Sequence, residues 1–317
     1  MSACYRLGID PKRLVFANEY SEKQNQTKET FGFKWAKVNT YKNEGMLETT
    51  KRWLFERYCD NKPELLGQWL DADGKGSKII IDAGCGAAFS ALLFFGDLLK
   101  KHDYLGVDIS DAITVAESRF AEMGYPGEFL KTSLFDLPIE DGSVDMIFSE
   151  GVLHHTDDTE QAIKYLSGKI KKDGYFLFYV YRKKAVIREF TDDYIRKAIA
   201  GMANEEAWEA LKPLTKLGIA LGEMQVSITI DEDIPFLGIP KGTFDLQRFI
   251  YWNICKLFYK KEYDIEEMNH INFDWFRPFN CHRHTVEDVE SYCERAELNI
   301  EHINVQESGI TVVARKQ

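Results

Sequence analysis

The sequence predicts an α/β fold: a doubly wound, mostly parallel sheet with a C-terminal antiparallel hairpin, plus a helical insertion subdomain. Three observations predict it. From residue 78 short β-branched runs alternate with helical periods. Strand, helix and strand recur about every 25–30 residues, as βαβ units do. The last two apolar runs are joined only by Glu307-Ser308-Gly309, so the final strand must run opposite to its neighbour.

Taken in order, residues 1–30 are polar and predict an irregular arm, followed by the aromatic cluster Phe31-Gly32-Phe33-Lys34-Trp35. A helical stretch then carries Leu47, Trp53, Leu54, Phe55 and Tyr58. Residues 78–82 are a β-branched run suited to a strand covered on both faces. Ala88, Leu92, Phe95 and Leu99 form one helical stripe. Strands over 104–108, 128–132 and 144–149 alternate with a helix over 111–123, the Gly124–Gly127 turn and a loop over 138–142. A helix over 157–171 shows Ile163, Leu166 and Ile170 on one side and is closed by Lys-Lys-Asp-Gly near Gly174, before a strand over 175–181.

Residues 183–283 break this rhythm with two helix-like blocks, 187–221 and 244–263, around a loop holding Pro235 and Pro240. A hundred residues is too long for a simple connection, so the segment predicts an inserted subdomain. Thr285-Val286-Glu287-Asp288 is a capping-box variant opening a helix to Ala296, and strands over 298–306 and 310–315 follow. The expected organisation is an N-terminal arm and helical cap over 1–60, a core over 61–182, the insertion over 183–283, and completion of the core over 284–317.

The 317 residues carry 40 Lys and Arg against 51 Asp and Glu, a formal charge of −11. That balance argues against a protein that grips nucleic acid through its phosphates. Apolar blocks such as Ala91 to Phe95 are far too short for a membrane span. The N-terminus has no signal-peptide pattern, and Cys4, Cys59, Cys85, Cys255, Cys281 and Cys293 have no Cys-x-x-Cys spacing. These features predict a cytoplasmic protein with reduced thiols and no membrane partner.

The chemistry concentrates in Ile79-Ile80-Ile81-Asp82-Ala83-Gly84-Cys85-Gly86, where a buried strand ends in an acid and two glycines open the next helix. Glycine there lets backbone turn tightly and approach a ligand. A dinucleotide fingerprint wants a third small residue, but Phe89 occupies that position. The second feature, Gly106-Val107-Asp108-Ile109-Ser110, closes the next strand with an acid able to accept ribose hydroxyls; a helix N-cap is the simpler alternative for a lone Asp.

Two further motifs complete the set: Ser133-Leu134-Phe135-Asp136-Leu137-Pro138 running on to Asp141-Gly142-Ser143-Val144-Asp145, and Ser149-Glu150-Gly151-Val152-Leu153-His154-His155. In that order and spacing, the four motifs over about residues 78–182 resemble the class I (Rossmann-type) S-adenosylmethionine-dependent methyltransferases, within their small-molecule, type 11-like group. The resemblance implies S-adenosyl-L-methionine as cofactor, with Asp82, Ala83, Gly84, Cys85 and Gly86 along its methionine part. It also implies Asp108 on the ribose, Ile109 against the adenine, Ser133 and Leu134 bracketing that base, and Ser149 and Glu150 near the amino-acid end. Ser133 stands where many relatives have Asp, and Ala87 where they often have Thr or Ser. Phe33 and Trp35 resemble a flap over the cofactor, with ordinary packing as the alternative.

A sulfonium is already a strong leaving group, so the implied reaction is direct in-line displacement onto a small-molecule acceptor. A base is needed only where the acceptor must lose a proton; His154, His155, Tyr181 and His282 are the candidates. The dense patch from Phe273 to His284 predicts either an acceptor pocket or Asp274, Arg277 and Arg283 in surface ion pairs. Cys281, His282 and His284 lack the separate ligand pairs of a zinc site, so no metal is expected. Ala87 and Ser133 leave room for a scaffold without catalysis, or for another use of the same cofactor. The sequence leaves oligomeric state open, a homodimer included.

Overall fold

The structure, a computed structural model, describes residues 2–9, 20–36, 44–71, 74 and 76–317, and it divides into two compact units. The first spans Met1–Arg182 with His282–Gln317, the second Lys183–Cys281.

Among the described residues, four helices precede the sheet: α1 (Ala3–Arg6), α2 (Glu22–Ala36), α3 (Glu44–Cys59) and α4 (Glu64–Asp71). Then β1 (Ile79–Ala83), α5 (Phe89–Phe95), β2 (Asp103–Asp108), α6 (Ala112–Met123), β3 (Glu128–Lys131), β4 (Val144–Glu150), α7 (Thr159–Lys169) and β5 (Ile170–Tyr181) alternate. The second unit holds α8 (Val186–Ile199), α9 (Asn204–Glu223), β6 (Ser227–Ile230), β7 (Gly242–Asp245), α10 (Leu246–Asn253) and α11 (Ile265–Phe276). The chain returns to the first unit as α12 (Val286–Arg295), β8 (Leu298–Val305) and β9 (Gly309–Lys316).

The sheet order is β3-β2-β1-β4-β5-β9-β8. Its first five strands are parallel, while β9 pairs antiparallel with both β5 and β8, as the short hairpin connection demands. Every residue of β1 is buried because both faces are covered. Ile79, Ile81 and Ala83 enter a core completed by α7 and α12, while Ile80 enters a core with Leu54, Tyr58, Phe94 and Phe148. Alternation along the strand thus serves two cores at once.

Several elements differ from the sequence expectation. The polar arm is helical from Glu22: Ser21 accepts from the Gln24 N–H, Glu22 sits in the first turn, and Thr27, Thr30 and Lys34 are buried. The stripe ending at Leu99 is not one helix, because Gly96 at φ +51 ends α5 and a tighter 3-10 turn carries Gly96–Lys100. Lys171 to Gly174 do not close α7. They lie in an irregularity of β5, where the register jumps from Val144↔Ile170 to Met146↔Tyr175. A Cβ on Gly174 would stand 2.8 Å from the Asp145 carbonyl, so this glycine serves the irregularity.

In the second unit, the first expected helical block is α8 and α9 and the second holds only α10, with the β6–β7 hairpin between α9 and α10 and an unexpected helix, α11, after the second block. Thr215 donates to Asn269 and accepts from Asn272, a buried polar tie between α9 and α11. Arg277 is not at the surface. It is buried and reaches Asn204 Oδ1 and the carbonyls of Ala200 and Met202, satisfying the end of α8.

The predicted cap at Thr285 is a complete capping box: Thr285 Oγ1 accepts the Asp288 N–H and Asp288 accepts the Thr285 N–H. Thr285→Ala should cost about 1 kcal/mol. Chemical denaturation with an unchanged slope would register it as a lower midpoint.

Candidate functional site

The carboxyl ends of β1, β2 and β4 are joined by backbone. After Ala83 the chain reverses through Gly84 at φ +84, and the N–H groups of Gly84 and Cys85 both donate to the Val107 carbonyl, at 2.8 and 2.9 Å. Gly86, at φ +51, donates its N–H to Asp108 Oδ2 at 2.8 Å. A Cβ on Gly84 would stand 2.3 Å from a Val152 methyl, so position 84 needs glycine on both counts. Ser149 donates to the Ala83 carbonyl at 2.8 Å, fastening β4 to the same bend. The Cys85 thiol is buried, and a Cβ on Gly106 would stand 3.1 Å from its sulfur, so Cys85 offers the bend its backbone rather than its side chain.

Asp108 is not an N-cap. Its Oδ1 accepts the Ser110 N–H and hydroxyl at 2.8 and 2.6 Å, while Ser110 Oγ accepts the Ala112 N–H at the start of α6. The carboxylate therefore spans the β1 loop and the β2 tip, with Ile109 half-buried beside it. The end of β3 joins through the Thr132 N–H on the Asp108 carbonyl. There Ser133 caps the short turn at Leu134–Asp136, and Leu134 is buried in the core.

Acids gather at these tips. Asp82 is buried and accepts the Tyr104 hydroxyl at 2.7 Å. Burial pushes its carboxyl up to about 7, the Tyr104 bond opposes this, and the charges of Asp108 and Glu150 add to it. Burial also raises Asp108, against the bonds from Ser110 and Gly86.

Glu150 is held by two residues of α3 that the sequence reasoning missed as site residues. Arg57 Nη2 lies 2.5 Å from Oε1, and the Tyr58 hydroxyl donates to Oε2 at 2.6 Å. Arg57 is buried with its guanidinium 4.3 Å from the ring centres of both Trp53 and Tyr179. Its Nη1 is buried and has no hydrogen-bond partner. One sequence signal was present: Arg57 follows Trp53 and precedes Tyr58 on the helix whose Leu54 and Tyr58 are core residues.

The candidate bases form an aromatic cluster after β4. The rings of His154 and Tyr181 are 3.8 Å apart at their centres, and those of His154 and His155 4.2 Å. Phe31 of α2 meets His155 edge-on at 4.8 Å, and Ser21 donates to Asp157. His282 joins through its N–H on the His154 carbonyl and its Nε2 on the Thr156 carbonyl at 3.0 Å. Since a carbonyl only accepts, Nε2 carries the hydrogen. Phe33 is half-buried on α2, and the Trp35 side chain lies outside the described residues. The structure thus gathers two groups: Asp82 to Gly86, Asp108, Ile109, Ser133, Leu134, Ser149 and Glu150 around the strand tips, and His154, His155, Tyr181 and His282 in the ring cluster.

Residues 81–178 match the family described as Methyltransferase domain. This stretch is similar to methyltransferase domains. An uncharacterised protein of Synechococcus is 30% identical over 122 residues, covering 37% of this chain and 29% of that protein. The uncharacterised methyltransferase YcgJ of Bacillus subtilis is 30% identical over 129 residues, covering 38% of this chain and 50% of its own length. The chain therefore spans half or less of the curated relatives it matches. A crystal structure of a S-adenosylmethionine-dependent methyltransferase from Aquifex aeolicus covers 89% of this chain and 98% of its own, at 14% identity and a TM-score of 0.46.

The residues at the strand tips fit the cofactor that the sequence resemblance implies, on two observations. The orphaned Arg57 Nη1 is a buried donor suited to a carboxylate. The acids Asp82, Asp108 and Glu150 outnumber the single Arg57, which suits a sulfonium cation.

Asp82 sets a pH dependence. Its folded-state value lies above the ordinary one, so its contribution to stability is full below about pH 4 and is lost as pH rises through about 7. Thermal unfolding of Asp82→Asn between pH 4 and 8 should show a flatter profile than the parent, and at pH 8 the variant should be at least as stable.

Proposed function

We propose that the first unit binds S-adenosyl-L-methionine and transfers its methyl group to a small-molecule acceptor by in-line displacement. The observation that carries this is the convergence of Asp108, the Gly84–Gly86 loop and the Arg57–Glu150 pair at adjacent strand ends of a methyltransferase domain. The cofactor supplies a methyl group on a sulfonium, which a well-placed nucleophile can take without a covalent enzyme intermediate.

In this proposal Asp108 accepts the ribose hydroxyls, and Ile109, Ser133 and Leu134 enclose the adenine. Asp82, Ala83, Gly84, Cys85 and Gly86 follow the methionine chain, with the Ser149 hydroxyl bracing the bend. Glu150 faces the amino-acid end and fixes Arg57, whose free N–H meets the carboxylate. Phe33 on α2 closes over the cofactor and excludes water. His282 is the first candidate for removing an acceptor proton, because donation from Nε2 to Thr156 leaves Nδ1 as the acceptor nitrogen. His154, His155 and Tyr181 hold one another in the ring cluster and shape the acceptor side. The net charge of −11 favours a small-molecule acceptor over nucleic acid.

Two measurements test this. S-adenosylhomocysteine release, followed over a panel of small hydroxyl and amine compounds, should appear with a subset of them; no release with any, from a chain that binds the cofactor, would refute methyl transfer to such acceptors. Asp108→Ala should weaken S-adenosylhomocysteine binding in calorimetry by at least about 100-fold, the lower bound for two charge-assisted hydrogen bonds of about 1.5–3 kcal/mol each. His282→Phe should keep that affinity and lower turnover by about 100-fold, the lower end of acid–base contributions.

A further inference from the structure

The second unit contains a cluster that the methyl-transfer proposal does not use. Four cations surround the indole of Trp275: Lys256 Nζ at 4.8 Å from its centre, Arg196 Cζ at 5.0 Å, Arg188 Cζ at 5.1 Å and Lys184 Nζ at 5.5 Å. Three segments bring them together. Arg188, Asp192 and Arg196 recur at four-residue spacing along one face of α8, Lys256 follows α10, and Trp275 belongs to α11. Trp275, Arg188 and Lys256 are all buried.

The buried cations of the cluster, Arg188 and Lys256, outnumber its buried acids. Asp192 is the one buried acid among the described residues of this unit, and its oxygens are taken. Oδ2 accepts Arg188 Nε and Trp275 Nε1, and Oδ1 accepts the Lys256 backbone N–H. Arg196 has Asp193 at 3.7 Å, a half-exposed partner beyond hydrogen-bond reach. Glu189 accepts the Lys184 backbone N–H. Half-buried Asp274 acts on Lys256 only through space. Burial pushes Lys256 down to about 7, with Arg188 adding to this and Asp274, Asp192 and Cys281 opposing it.

Four N–H-bearing atoms here have no partner: Arg188 Nη1 and Arg196 Nε, Nη1 and Nη2 are all buried without a hydrogen bond. Cation–π attraction draws these cations to one ring. It gives those N–H groups no acceptor and does not relieve repulsion among the cations. Guanidinium forks with free N–H groups, an ammonium and an aromatic wall match an oxyanion carrying more than one charge.

We propose that Arg188, Arg196, Lys256 and Lys184 form a binding site in the second unit for a phosphate-class dianion, such as the phosphate group of a phosphomonoester. Arg196 and Arg188 supply the N–H forks, Lys256 the compact charge, and Trp275 the wall. The site does not depend on the methyl-transfer proposal, and it fails or stands separately from it.

The test uses the full chain with inorganic phosphate as the probe, and chloride at matched ionic strength as the reference. Millimolar phosphate should raise the unfolding temperature where chloride does not, and calorimetry should show saturable binding. Arg196→Gln and Lys256→Met should each weaken that binding at least tenfold. Lys256→Met should be no less stable than the parent without phosphate, since it removes a buried cation and keeps much of its volume. Affinity for S-adenosylhomocysteine should be unchanged in both variants, which separates failure here from failure at the strand tips. Phosphate acting no better than chloride would overturn the site, as would equal phosphate binding by parent and both folded variants. Malonate binding as tightly as phosphate would overturn the phosphate class.

Discussion

The site rests on one tie: the bend after β1 hangs from β2 by three N–H groups, two on the Val107 carbonyl and one on the Asp108 carboxylate. Each bond is ordinary in strength. Together they fix a backbone reversal that no side chain at position 84 would permit. Because Asp108 also holds Ser110, the same carboxylate sets where α6 begins and where the loop lies. A ligand acceptor at this position is therefore rigid before anything binds, and rigidity lowers the ordering cost of binding.

The second constraint is electrostatic. Placing Asp82, Asp108 and Glu150 at neighbouring strand ends costs solvation and mutual repulsion. The fold meets this differently at each acid. Glu150 has Arg57 and Tyr58, Asp108 has backbone and Ser110, and Asp82, with Tyr104 as its hydrogen-bond donor, responds by holding its proton more tightly. Asp82 is thus the carboxyl most sensitive to an arriving cation, because the Tyr104 hydroxyl alone offsets its burial.

What the sequence disclosed follows from range. The β1 strand, its two glycines and Asp108 were legible because a buried strand, a tight turn and an acid at the next strand's end are all written within thirty consecutive positions. The hairpin and the Thr285 box were legible for the same reason. Arg57 was not: its partner Glu150 is 93 positions away, and a lone Arg in an amphipathic helix looks like any solvated residue. Helix α2 was missed because Ser21 to Thr30 show no apolar stripe; its order comes from the cap and from contacts such as Phe31 on His155. Lys171 to Gly174 form a string that ends a helix or bends a strand equally well. The register against β4 decides between them, and register is a property of the pair.

The two units make opposite choices in where buried charge goes. In the first, acids stand at the strand tips and Arg57 is drawn in to meet one of them; in the second, cations collect around Trp275 and Asp192 is drawn in to meet one of those. Composition conceals this, since the chain as a whole is acidic at −11. A buried cation next to other cations is the more demanding arrangement for a lysine, which can shed its proton; an arginine cannot. Lys256 is lowered to about 7 chiefly by its burial, with Arg188 adding to it. A fold selected for stability alone would place a neutral side chain at position 256. Keeping an ammonium there makes sense when its charge is restored by something that binds, and the proton it then regains ties occupancy of the second unit to pH through a group that the strand-tip site never touches.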